Sequence, residues 1–291
     1  MRWTPGGTSS DIEDRRGGGG GFGFGGGGGG FGGIHLGLGG ALVVLILSFV
    51  FKINIFSLLS GGGTMDSARP AIESDRGGDP AQTHEVQFVS FVLDDAQATW
   101  ERLLPAAGTN YRHAKLVLFR DYTQSGCGTA QTATGPFYCP ADEKVYIDLA
   151  FFDELQTRFG APGEFAQAYV IAHELGHHVQ KLLGIQQRVS TLQRRDPSQG
   201  NRLSVGLELQ ADCFAGIWGH STEQRKIIDT SDVAAGLRAA ASVGDDRLQR
   251  MATGHVSPET FTHGSSAERT AAFQRGLESG EIGACVNASA R

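Results

Sequence analysis

No run of basic residues occurs anywhere in the 291-residue chain; 25 Lys and Arg stand against 31 Asp and Glu, a formal net charge of −6. Binding to a nucleic-acid backbone needs cations concentrated on one face or along one helix. A nucleic-acid partner is therefore not expected. Cysteine is scarce, with four residues at 127, 139, 213 and 285. The even number fits two disulfides in an oxidising compartment or four thiols in a reducing one, and the number alone does not choose. Glycine is the opposite case. Many of the 43 glycines fall within 17–40, and without that tract the composition is that of an ordinary globular protein. The length suits one large domain or two modest ones.

The chain divides by composition. Residues 1–33 are polar and glycine-rich. A tract such as GGGGGFGFGGGGGGFGG buries too little apolar surface to offset its chain entropy, so this head is expected to be a disordered spacer. Residues 34–59, IHLGLGGALVVLILSFVFKINIFSLL, hold 18 residues from Ile34 to Phe51 with no formal charge apart from the titratable His35. As a helix they reach about 27 Å, against a bilayer core of roughly 30 Å. Glycine-rich tracts flank the run, which disfavours a buried core helix. A single transmembrane anchor is predicted, with Lys52 snorkelling at the far interface. Arg15 and Arg16 favour a cytoplasmic N-terminus, which puts the folded part outside the cell membrane, periplasmic or extracellular, where its cysteines can pair. Residues 60–85 are predicted as linker and 86–291 as the folded domain.

Within that domain the periodicity predicts a helix from about Glu85 through VQFVSFVLDDAQATWERLLPAAG. Strands are predicted in KLVLFRDY (115–122) and at the start of KVYIDLAFF (144–152). A long helix opens at Pro162 and runs to Leu183, closed by Gly184. Another carries SVGLELQADCFAGIWGHS, and further helical segments fill 222–252 and 265–279. Strands precede helices, so the expected class is α+β, mainly helical with a small sheet. KVYID is either an edge strand, against which an extended peptide can pair, or an internal one.

AHELGHHVQ, residues 172–180, contains the pattern H-E-x-x-H. On a helix His173 and His177 lie one turn apart on the same face, so that both imidazoles can meet one metal ion. Glu174 lies beside them, placed to act as a general base. His178 points about 100° away and is expected to be a structural histidine. A catalytic zinc takes three protein ligands and keeps one position open. The metzincin pattern would supply the third from a histidine at 183, with glycine at 180; Gln180 and Leu183 stand there, which excludes that class. Glu208-Leu-Gln-Ala-Asp212 is the better source. It begins 208 − 177 = 31 residues after the second histidine, enough for the chain to turn and return alongside. Glu208 would complete a His-His-Glu set, and Asp212, one turn on, would accept the free ring N–H of one histidine.

With those motifs in place, the chain resembles the neutral zinc metallopeptidases, a bacterial family of membrane-anchored proteins. MRW with DIEDRRG, then a glycine tract and one apolar segment, matches the family's N-terminus. CGTAQTATGPFYCPADEKVYIDLAFFDEL, AHELGHHVQ, ELQADCFAG and FTHGSSAER match its body. The resemblance implies a zincin-like, gluzincin-type fold with one Zn2+ per chain, and it implies no particular substrate. The tail is also similar to the wider group of CAAX-prenyl-type and related membrane zinc proteases. There a His-Pro motif follows, with an arginine six residues beyond the histidine. His263 and Arg269 keep that spacing, 269 − 263 = 6, while Gly264 replaces the proline. By this similarity His263 sits across from the zinc and hydrogen-bonds the oxyanion.

The expected activity is hydrolysis of peptide bonds in a peptide or protein substrate, with Glu174 as general base. A catalytically silent zinc-containing domain that binds a peptide or partner is the alternative. Cys127 and Cys139 bracket a loop that a disulfide could close, leaving Cys213 to pair with Cys285; four cysteines allow three connectivities.

Overall fold

The computed structural model of the chain describes residues 1–17 and 80–286. The predicted anchor at 34–59 lies outside these residues. Among the described residues no helix is long and apolar enough to cross a membrane.

A four-stranded sheet forms one layer. Its strands are β1 (Ile12–Asp14), β2 (Lys115–Phe119), β5 (Phe137–Cys139) and β6 (Lys144–Asp148), in the order β1-β2-β6-β5. β2 runs parallel to both β1 and β6, whereas β5 is antiparallel to β6. A separate hairpin joins β3 (Tyr122–Ser125) to β4 (Gly128–Gln131). KLVLF is apolar without alternation because both its faces are covered. Leu116 and Leu118, with Val145 and Ile147 of β6, face the helices. Val117, Phe119 and Tyr146 pack on the other face, where Ala130 of β4 and Cys139 close a small second cluster.

The helices are α1 (Pro80–Leu103), α2 (Ala150–Thr157), α3 (Glu164–Leu182), α4 (Ile185–Arg195), α5 (Gly200–Gln224), α6 (Thr230–Ser242), α7 (Asp245–Thr253), α8 (Ser266–Ser279) and α9 (Ile282–Val286). The α+β class and the mainly helical content match the reading of the sequence. α1 begins at Pro80, inside the predicted linker; proline at the first helical turn needs no N–H partner. α3 ends where expected, at Gly184 in the left-handed conformation (φ 68°). A capping box between Ser265 and Glu268 starts α8.

One open alternative is resolved and one expectation is corrected. KVYID is internal, since β2 and β5 cover both sides of β6, and the sheet's edges among the described residues are β1 and β5. The head is ordered over its first 17 residues instead of being a disordered spacer. Its Ile12–Asp14 pair with Leu116–Leu118. Trp3 packs against His84, Phe88 and Phe91, and its indole N–H donates to Glu164 at 3.1 Å. Both disulfides form, Cys127–Cys139 tying the hairpin to β5 and Cys213–Cys285 tying α5 to α9.

The closest helix crossing is between α5 and α8. A Cβ on Gly276 would overlap the carbonyl oxygen of Cys213, and one on Gly216 would overlap that of Phe273. Gly276→Ala should therefore destabilise the protein by about 3 kcal/mol, the upper end of ordinary overpacking. Gly283→Ala, where nothing stands within 4 Å, should be neutral or stabilising by up to about 1 kcal/mol. Urea unfolding of both variants checks the contrast.

Candidate metal centre

α3 and α5 pack side by side, and Gly176 sets how closely. Its missing Cβ would stand 2.9 Å from the Ala211 carbonyl oxygen. At that crossing α3 presents His173 and His177, one turn apart, and α5 presents Glu208 and Asp212, also one turn apart. His173 Nε2 lies 3.2 Å from one oxygen of Glu208, and His177 Nε2 lies 3.4 Å from the other. Two donors each about 2.0–2.1 Å from a tetrahedral zinc would be roughly 3.3 Å apart. The three donor atoms all lie within 4.8 Å of one another, and they are two imidazoles and a carboxylate, so the set fits a zinc ion.

Each histidine is oriented through its other nitrogen. His173 Nδ1 lies 2.8 Å from Asp212 Oδ1, and the Tyr169 hydroxyl donates to that same oxygen. Arg269 of α8 completes the group. Its Nε donates to Asp212 Oδ2 at 2.8 Å and its Nη2 to Oδ1 at 2.9 Å, while Nη2 also reaches the Tyr169 hydroxyl. His177 is held by an uncharged partner, Gln180 Oε1 at 2.9 Å. Gln180 is anchored in turn by donating to the Leu207 carbonyl and to Gln210 Oε1, and Gln210 donates to the Cys285 carbonyl.

The electrostatics favour a cation between these groups. Burial alone would lower the His173 pKa, but the charges of Asp212 and Glu208 outweigh it and push it up to about 10. His177 is raised in the same way by Glu208 against the pull of burial. Burial would raise Glu208, yet the two histidines hold it well below the usual carboxylate range. Asp212 is likewise held low, Arg269 and His173 overcoming its burial.

Glu174 is nearly buried and has no hydrogen-bond partner among the described residues, while its charge adds to the field at His177. His263 stands at the N-terminal side of α8; burial pulls its pKa down, but the Asp245 hydrogen bond and the nearby charge of Glu208 raise it above the usual imidazole range. Its Nδ1 lies 3.1 Å from Asp245 Oδ1. Asp245 Oδ2 collects the backbone N–H groups of Thr262, His263 and Gly264. Gly264 has φ 92°, which proline cannot adopt, and it donates an N–H that proline lacks. The departure from His-Pro is thus part of how this loop is built.

His178 is structural, as expected. It joins the Tyr138 hydroxyl of β5 to the Arg112 carbonyl, and burial lowers its pKa. Tyr169, Gln180, Gln210 and Asp245 were not anticipated. The only signals available were the three- and four-residue helical offsets of Gln180 from His177 and of Tyr169 from His173.

Gln180→Ala removes the partner of His177 while leaving every donor to the ion in place. Loss of such a partner typically weakens metal affinity about 10–100-fold. Competition with a chromophoric zinc chelator should show that loss, and Gln187→Ala at an exposed position of α4 should not.

A family model described as "putative neutral zinc metallopeptidase" matches residues 1–288. The chain is 43% identical over 290 residues to the uncharacterized protein YpfJ of Escherichia coli (strain K12), covering 98% of each. It is 41% identical over 208 residues to the uncharacterized protein Rv2575 of Mycobacterium tuberculosis (strain ATCC 25618 / H37Rv), covering 68% of each. No solved structure matches the chain. Match and geometry agree from the N-terminal arm to the last helix: the chain belongs to the family of putative neutral zinc metallopeptidases.

Proposed function

We propose that the protein is a zinc-dependent endopeptidase, with one Zn2+ held by His173, His177 and Glu208. The observation that carries this reading is the convergence of those three donors beside a Glu174 carboxylate without a hydrogen-bond partner among the described residues. An inert zinc site closes its coordination with four protein ligands, whereas this set offers three among the described residues, as a catalytic zinc would need.

Zinc, when bound, polarises a scissile carbonyl and acidifies a water. The chain's own residues do the rest. Glu174 takes the proton of the attacking water and returns it to the leaving amine. His263, fixed at Nδ1 by Asp245, offers its other ring nitrogen to the negative charge that develops on the carbonyl oxygen. Asp212 and Gln180 keep the Nε2 atoms of the two histidines aimed at the ion. β5 is the sheet edge tied to α3 through Tyr138 and His178, and an extended peptide would pair along it.

The test compares wild type with Glu174→Gln for bound zinc and for cleavage of casein. Both should carry about one zinc, and the variant should lose at least about 100-fold in cleavage rate. If both carry zinc and neither cleaves any unfolded protein offered, a silent zinc-containing binding domain replaces the peptidase reading. His263→Ala should lower kcat about 100–1,000-fold with KM little changed, the pattern of a contact made only in the transition state.

A further inference from the structure

The N-terminal arm is fastened to the body at many points. β1 is the parallel edge strand on β2, with Ile12, Glu13 and Asp14 opposite Leu116, Val117 and Leu118. Asp11 is buried and accepts from Gln97 Nε2 at 2.9 Å and Lys115 Nζ at 2.7 Å, with His113 Nδ1 as a third partner. Ser9 bonds to Ser90 and Asp94 of α1, and Glu13 pairs with Lys144 of β6 at 2.6 Å. Beyond β1, Arg16 Nη1 lies 3.4 Å from Gln82 Oε1. The chain therefore leaves the described part at residue 17 and rejoins it at residue 80 in the same neighbourhood.

That closeness constrains any membrane topology the chain could adopt. The one apolar run in it, 34–59, has 59 − 34 + 1 = 26 residues. One helical crossing takes roughly 20 residues and two take roughly 40. The flanks 18–33 and 60–79 are glycine-rich or polar and hold no second run. A single crossing would leave β1 and β2 on opposite faces of the bilayer, where they cannot share a hydrogen-bonded ladder. Exchange of arms between copies of like orientation does not help, because every arm would lie on the wrong face.

We infer that residues 1–17 and 80–286 stand on the same side of any membrane the chain meets, an arrangement that a single crossing between them could not give. The two disulfides make the extracytoplasmic side the favoured one. The inference is independent of the peptidase reading, since it uses no residue of the metal centre.

The test uses the full-length protein in the membranes of intact cells. All four native cysteines are bridged, so an added thiol is the reactive one. Thr8→Cys in the arm and Gln187→Cys in α4, both exposed positions, are treated separately with a membrane-impermeant maleimide before and after lysis. Zinc content equal to wild type shows that each variant is folded. The expected result is that the two positions behave alike, both labelled in intact cells or both only after lysis. Labelling of one in intact cells and of the other only after lysis overturns the inference. Arg16→Cys combined with Gln82→Cys should also be joined within one chain by a short bifunctional maleimide, and no such product would appear if the arm lay across the bilayer.

Discussion

The buried pair of Asp212 and Arg269 is the interaction on which the rest of the centre depends. Asp212 is fully buried and Arg269 is 4% exposed. Two parallel hydrogen bonds match the fork of the guanidinium to both carboxylate oxygens. Removing one member of such a pair leaves a bare charge in the interior and costs about 3–5 kcal/mol. The backbone is arranged to let the pair form. Gly276 on α8 and Gly216 on α5 bring the helices to backbone contact, and the Cys213 carbonyl that lies over Gly276 belongs to the residue after Asp212. The Cys213–Cys285 bridge fixes the same turn of α5 to α9. An ion pair, a glycine crossing and a disulfide thus act on one helical turn, and that turn presents Asp212 to His173.

How far the centre was legible follows from how local its parts are. His173, Glu174 and His177 lie within five residues, and Glu208 and Asp212 within another five, so helical period alone puts each group on one face. That the two groups face each other was inferred from a 31-residue gap long enough for the chain to turn and return, and Gly176 is the packing reason they meet. Asp245 was not legible. In GDDRLQ it has the signature of an acidic residue in the first turn of a helix, and nothing local says that its carboxylate will gather three amides from a loop 17 to 19 residues on. The departure at Gly264 was visible, but its meaning required the backbone angle.

The fold was legible in the same uneven way. Long amphipathic helices and the apolar KLVLF carry their own signal, whereas Ile12–Asp14 is a three-residue strand in a charged, glycine-flanked stretch. Its pairing partner is 104 residues away, from Ile12 to Leu116, and what holds it is a set of side-chain bonds to α1, β2 and β6. Composition placed residues 1–17 with the glycine tract because composition averages over a window, and the boundary between ordered arm and glycine tract falls inside that window. The edge position of β5 was hidden for a similar reason. Phe137–Cys139 is too short to show alternation, so KVYID looked like a candidate edge until its two neighbours were known.

The two histidines are supported by unlike means, and the difference bears on how the centre would treat an ion. His173 leans on a carboxylate, which by itself would make the imidazole a strong donor and drain the ion's charge. Arg269 shares that carboxylate through both oxygens, so much of its negative charge is already answered from the other side. His177 leans on the neutral amide of Gln180, which orients the ring without adding charge. Glu208 is then the only uncompensated anion among the three proposed donors. A zinc ion held by these residues would keep most of its positive charge for polarising a carbonyl, the chemistry proposed for the centre. Replacing Arg269 by an apolar residue would strip away more than a packing contact. It would leave Asp212 free to spend its full charge on His173, and the ion would be bound by a more basic set with less to offer its substrate.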